Sequence, residues 1–247
     1  MKEKEVRELH NICKLLSDLK SQLITTKLPH FGHDALFLQS DEITTGLINN
    51  TTEIKIHLLT GQFLYSSNED NISVNLRDHD SVDVMAQEIQ KVVTKYGLVV
   101  PPSIYIARIS EEQLLSYHSF ALKVKRSLEL FRMRIQSGNY TLVHLWPDGF
   151  DFSVEWFTGH KGEEQIGIGI SPGEEQYEEP YLYVNPYPFN KQVMDTKLPI
   201  GIWHTSGWNG IKVEWYKDLE KYSEHQIAQI VYELYSITKN NFQPGYV

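Results

Sequence analysis

Residues 53–76 read EIKIHLLTGQFLYSSNEDNISVNL, and the order of apolar and polar letters in that stretch decides the fold class. Ile54, Ile56 and Leu58 alternate with Lys55 and His57. Phe63 and Tyr65 follow the Thr60-Gly61 turn, and Ile72, Val74 and Leu76 follow a second turn over 66–71. A period of two sends successive side chains to opposite faces of a strand. Three such runs joined by short turns predict an antiparallel meander, led by a strand near 35–39. One face of that sheet is apolar and needs a cover.

Helices on either side can supply it. Val6, Leu9, Ile12, Leu16, Leu19 and Leu23 recur at steps of three and four, the stripe of an amphipathic helix over 4–23. Ser81 can cap a second helix with apolar positions Val82, Met85, Ile89, Val92 and Tyr96, closed by Gly97. Pro101-Pro102 then interrupts the chain, Ile104 and Ile106 suggest a short strand, and Ser110 with Gln113 reads as a capping box. Behind it the longest helix is predicted over 111–136, on Leu114, Tyr117, Ala121, Val124, Leu128, Phe131 and Ile135, with Gly138 after it. Its basic flank, Lys123, Lys125, Arg126, Arg132 and Arg134, reads as a solvated face.

The remainder repeats the style with more aromatic residues. Strands are predicted at Tyr140–Trp146 and Phe150–Phe157, joined through Pro147-Asp148-Gly149, and near 165–170, 181–185, 200–204 and 211–216. A closing helix starts at Ser223, which forms a capping box with Gln226. Ile227, Ile230, Val231, Leu234 and Ile237 make its stripe. Strands followed by a helix thus occur twice. The expected fold is α+β, antiparallel sheets covered by helices, in two similar halves (1–109 and 110–247) joined by the long central helix. No linker-like run separates them, so residues 1–247 are expected to form a single compact body.

Composition narrows the function. The 247 residues carry 23 Lys and Arg against 32 Asp and Glu, a net charge of −9. That balance argues against nucleic acid as a partner, since binding there rests on neutralising phosphates. The single cysteine excludes a disulfide framework and multi-thiolate metal centres, and Cys13 reads as a small buried hydrophobe beside the first stripe. MKEKEVRELH lacks the apolar core of a signal peptide. Leu98–Ala107 is too short to span a bilayer, so no membrane association is expected. Asn50-Thr51-Thr52 and Asn139-Tyr140-Thr141 match the glycosylation triplet by chance on this reading, and the expected location is cytoplasmic.

Nucleotide-binding, zincin and hydrolase signatures are missing. Gly167-x-Gly169 lacks a third glycine and sits among strands. The cofactor is unknown from the sequence. The best local constellation is the 140–157 hairpin. A two-residue Asp148-Gly149 turn aligns His144 and Trp146 with Asp151, Ser153 and Glu155 on one face. It leaves Val143, Leu145, Phe150, Phe152, Val154 and Trp156 on the other. A three-residue turn would instead carry His144 among the apolar side chains. The clean segregation of polar from apolar favours the first register, and both stay open here. A second cluster is Trp203-His204-Thr205-Ser206-Gly207-Trp208. A third, Tyr177 to Tyr183, sets carboxylates beside phenols.

At these clusters the chain resembles a widespread bacterial and archaeal family known as a domain of unknown function, over about residues 20–240. The clearest blocks are 34–46 and 142–159, and His144, Phe150, Asp151, Phe157 and Gly159 match the family pattern. Two places depart from it: Phe31-Gly32-His33 stands where the family carries a tryptophan, and Glu178-Glu179-Pro180 where it carries a His-Glu pair. The resemblance implies a shared fold and a role for His144 but no reaction.

Two main readings follow. In the first, the second half binds a small molecule in an aromatic, carboxylate-lined pocket. His144 acts there as acid or base, Asp151 or Glu155 orients it, and Trp146, Tyr177, Trp203, His204 and Trp208 hold the ligand. In the second, the chain is a structural or interaction module whose aromatics build core and a homodimer interface. A metal-dependent hydrolase ranks third, because the ten histidines are scattered.

Overall fold

The computed structural model describes residues 3–24, 27–28, 31–77, 82–102, 108–135, 139–159 and 164–242. The expected Ser81 cap, the short strand at Ile104 and Ile106 and the helix-ending Gly138 lie outside them. The chain folds as an α+β protein with two antiparallel sheets, and it divides into two compact units. One comprises Glu3–Leu122 and Leu145–Phe150, the other Lys123–His144 and Asp151–Val247.

The first unit contains α1 (Glu3–Leu23), β1 (Phe37–Gln39), β2 (Glu42–Thr44), β3 (Glu53–His57), β4 (Gln62–Ser66), β5 (Asn71–Asn75), α2 (Val82–Thr94) and the start of α3 (Glu111–Arg132). The strands pair in sequence order as the alternation requires. Ile43, Ile56, Phe63 and Val74 stand opposite one another across four strands, each 6% exposed or less. On the other face Lys55 lies 2.9 Å from Glu42 and 3.5 Å from Glu53, and Thr44 donates to Glu53 at 2.6 Å. α1 packs on β3, burying Val6, Leu9, Ile12, Leu16 and Leu19. Ser110 and Gln113 form both arms of the expected capping box. α3 ends at Arg132, short of residue 136. The amides of Arg134 and Ile135 bond three residues back, tightening the last turn.

The second unit adds β6 (Asn139–Tyr140), β7 (His144–Trp146, whose last two residues belong to the first unit), β8 (Asp151–Phe157), β9 (Gln165–Ser171), β10 (Tyr181–Tyr187), β11 (Ile202–His204), β12 (Gly210–Glu214) and α4 (Glu224–Lys239). Its sheet has seven strands, in the order β11-β12-β10-β9-β8-β6 with β7 also on β8. α4 starts from the expected Ser223–Gln226 box and packs on β9 and β10. On that side Phe152, Val154, Trp156, Ile166, Ile168, Ile170, Leu182 and Val184 are buried. Tyr235 of α4 meets Phe131 and Trp156 edge-on, each at 5.6 Å.

The strand expected over Tyr140–Trp146 is interrupted. Tyr140 faces Trp156, and the Thr141 amide bonds the Glu155 carbonyl. The Glu155 amide then goes to the Thr141 hydroxyl at 3.0 Å. A side chain thus fills the ladder position, and the expected strand breaks at 141–143 into β6 and β7. Leu145 instead makes two 2.9 Å backbone bonds with Leu36. The turn spans 147–150, and Phe150 takes a left-handed φ of 53°. Its ring lies stacked between His10 (4.9 Å) and Tyr117 (4.8 Å) in the first unit. The aromatic sandwich offsets the cost of that backbone conformation. Among the described residues no helix is long and apolar enough to cross a membrane.

Candidate functional site

The face of the second sheet that lies away from α4 is built by alternation. Asp151, Ser153 and Glu155 project there from β8. Ser153 stands opposite Gly169, which stands opposite Tyr183, which stands opposite Lys212. Glu155 faces Gly167 in the same way. The two glycines leave β9 bare, and neighbouring side chains lie across it. Tyr183 reaches over Gly169 and donates its hydroxyl to Asp151 Oδ2, two strands away. A Cβ on Gly169 would fall inside the van der Waals envelope of the Tyr183 Cζ and hydroxyl, and one on Gly167 would lie 3.1 Å from Glu155 Oε2. At 169 an added Cβ would force the Tyr183 ring to move, and at 167 it would push the Glu155 carboxylate by a few tenths of an ångström.

Asp151 is 9% exposed, and Glu155, partly exposed as a residue, has a desolvated carboxyl. Burial pushes the Asp151 carboxyl up to about 6; the Tyr183 bond opposes that rise and the Glu174 charge adds to it. Burial likewise pushes Glu155 up to about 7. Its 3.0 Å bond from Ser153 pulls the other way, and the charge on Asp151 adds. No Lys, Arg or His ion-pairs with either carboxyl among the described residues. The Tyr183 and Tyr181 phenols are raised, chiefly by burial. Tyr181 donates to Glu174 at 2.7 Å.

Beside the carboxyls stands an aromatic wall. His204 stacks on Trp208 at 4.2 Å, and Trp208 lies near-parallel to Tyr181 at 6.3 Å and edge-on to Tyr183 at 6.2 Å. His204 Nδ1 faces the Trp208 carbonyl at 3.0 Å and so carries the hydrogen. Nε2 then accepts from the Tyr177 hydroxyl at 2.6 Å. The Lys212 ammonium sits over the rings of Tyr177 (4.1 Å) and Tyr181 (5.7 Å). A desolvated acid pair and flat rings together suit an organic ligand with polar and apolar parts.

Of the residues singled out from sequence, Asp151 and Glu155 share one face of β8, and Tyr177, His204 and Trp208 form one cluster. Trp203 alternates to the α4 side of β11. It pairs with Ile211, and its indole donates to the Thr196 carbonyl at 3.0 Å. His144 is partly buried at the last position of its segment in the second unit, and Trp146 belongs to the first unit. The sequence places Tyr183 only in a phenol–carboxylate stretch, without its partner Asp151, sets Ser153 beside Asp151 and Glu155 without a role of its own, and does not mark Lys212. A readable signal was small residues at period two, Gly167-x-Gly169-x-Ser171, beside Tyr181-x-Tyr183.

A cleft of about 480 Å³ lies elsewhere in this unit, between α4 (Gln229, Tyr232, Glu233) and Lys197–Pro199. It carries no comparable set of converging acids and phenols. Among the described residues no three His, Cys, Asp or Glu side chains are grouped to hold a metal ion. No family model, curated protein or solved structure matches the chain.

Proposed function

We propose that this protein binds a small organic molecule on the face of the second sheet away from α4. The ligand would lie against Asp151, Glu155 and Tyr183 on one side and Tyr181, His204 and Trp208 on the other. The observation that carries the reading is the pair of desolvated acids with no basic partner among the described residues. Burying carboxyl groups with no basic partner costs stability. Acids set beside flat rings are what a binding site requires. Titrating near neutrality, Glu155 is also suited to move a proton on a bound ligand. The buried thiol of Cys13 fits a reducing compartment, and we place the protein in the cytoplasm.

A thermal-shift screen of a metabolite library tests this reading. The expected result is a compound that raises the melting temperature of the native chain by a few degrees and leaves Trp208→Ala unshifted. Trp208→Ala itself should unfold at nearly the native temperature. If no compound shifts the native chain and Trp208→Ala costs more than about 3 kcal/mol, the wall is packing, as in a structural or dimer-forming module.

A further inference from the structure

We infer that the ligand of this face carries a protonated amine, held between the Asp151 and Glu155 carboxyls and the ring faces of Trp208 and Tyr183. The inference rests on the binding reading above and adds the chemical class.

Two independent observations point to a cation. The first is the acid pair. Each carboxyl accepts one side-chain hydroxyl, Tyr183 on Asp151 and Ser153 on Glu155, so lone pairs remain on both for a donor with several N–H bonds. Glu155 Oε2 lies over the backbone of Gly167. The second is the wall itself. Lys212, whose Cα pairs with that of Tyr183, already lays its ammonium over Tyr177 and Tyr181 rather than against a carboxylate. The phenol faces here accept an ammonium, as the quadrupole of an aromatic ring predicts. Trp208, partly exposed, lies 6.3 Å from the Tyr181 ring and 6.2 Å from the Tyr183 ring, and the Tyr183 hydroxyl reaches the Asp151 carboxyl. A neutral ligand would leave both carboxyls without compensation, and an anion would meet them as like charges.

Capture of a cation requires the acids to be ionised. The charged and titratable groups that act on them are Tyr183, Tyr181, Glu174 and each other; the two phenols stay neutral and the acidic neighbours favour the protonated form. Binding therefore releases protons from the carboxyls to solvent.

Calorimetry with three isosteric probes tests the claim: benzylammonium, benzyl alcohol and benzoate, each titrated at pH 6.5 in two buffers of different ionisation enthalpy. The expected result is benzylammonium binding at least tenfold tighter than either of the others. It should release a fraction of a proton, and Glu155→Gln should weaken it at least tenfold. Trp208→Phe, which keeps a ring, should weaken it less than Trp208→Ala. Equal binding of benzyl alcohol, tighter binding of benzoate, or benzylammonium binding unaffected by Glu155→Gln overturns the amine and leaves the binding reading in place. Failure of all three probes also overturns it, and the library screen decides the binding reading separately.

Discussion

Glu155 and Lys20 are buried ionisable groups whose shifts have opposite consequences. The Glu155 carboxyl titrates near 7 in the fold against 4.5 when exposed. The folded state holds its proton more tightly, so the stabilisation is complete below about pH 4.5 and is lost as pH rises through 7. Asp151 adds a parallel loss between 3.8 and about 6. A shift of this size corresponds to about 3 kcal/mol at most for Glu155. In urea unfolding, Glu155→Gln should flatten the decline between pH 5 and 8, and an unchanged decline would contradict the burial of that carboxyl. Lys20 is 4% exposed and donates to the backbone carbonyls of Gly32 (3.1 Å) and Ala35. Burial lowers its ammonium to about 8, with Asp34 opposing. Here stability is lowest where the lysine is charged and rises between pH 8 and 10.5. Lys20→Met should abolish that rise. It should also cost roughly 2 kcal/mol below pH 8, because two buried carbonyls lose their donor.

β9 and the strands beside it hold the clearest structural test. Gly169→Ala forces the Tyr183 ring off β9 and breaks its bond to Asp151, so a loss of roughly 1–3 kcal/mol is expected, with weaker ligand binding. Ser223→Ala, which opens the capping box of α4, should cost about 1 kcal/mol and leave binding intact. Equal effects of the two on binding would mean that the site merely follows global stability. The contrast also shows what sequence could tell. The Ser223 and Ser110 boxes, the α1 stripe and the meander were legible because the period and the cap are local properties of consecutive residues. The bond from Tyr183 to Asp151 spans three strands and 32 positions, and no periodicity reports which strands become neighbours. The break at 141–143 was hidden for a similar reason. Thr141 satisfies the Glu155 amide with its side chain, a choice that alternation does not encode.

Over the whole molecule, the division into units does not follow sequence order. The chain leaves the first unit within α3 at Leu122 and re-enters it for Leu145–Phe150, where Phe150 is sandwiched by His10 and Tyr117. The net charge of −9 sets a background that favours cationic ligands over anionic ones. Within the second unit, the α4 side of the sheet is apolar and covered, and the opposite side gathers the acids and rings. Ligand binding on the acid-bearing side follows from that asymmetry. Amide and indole NMR shifts, mapped while the stabilising compound from the library screen is added, test it most directly. The predicted perturbations cluster at 151–155, 165–171, 181–185 and 204–212. Perturbations confined to Lys197–Pro199 and α4, around the apolar cleft, would contradict it.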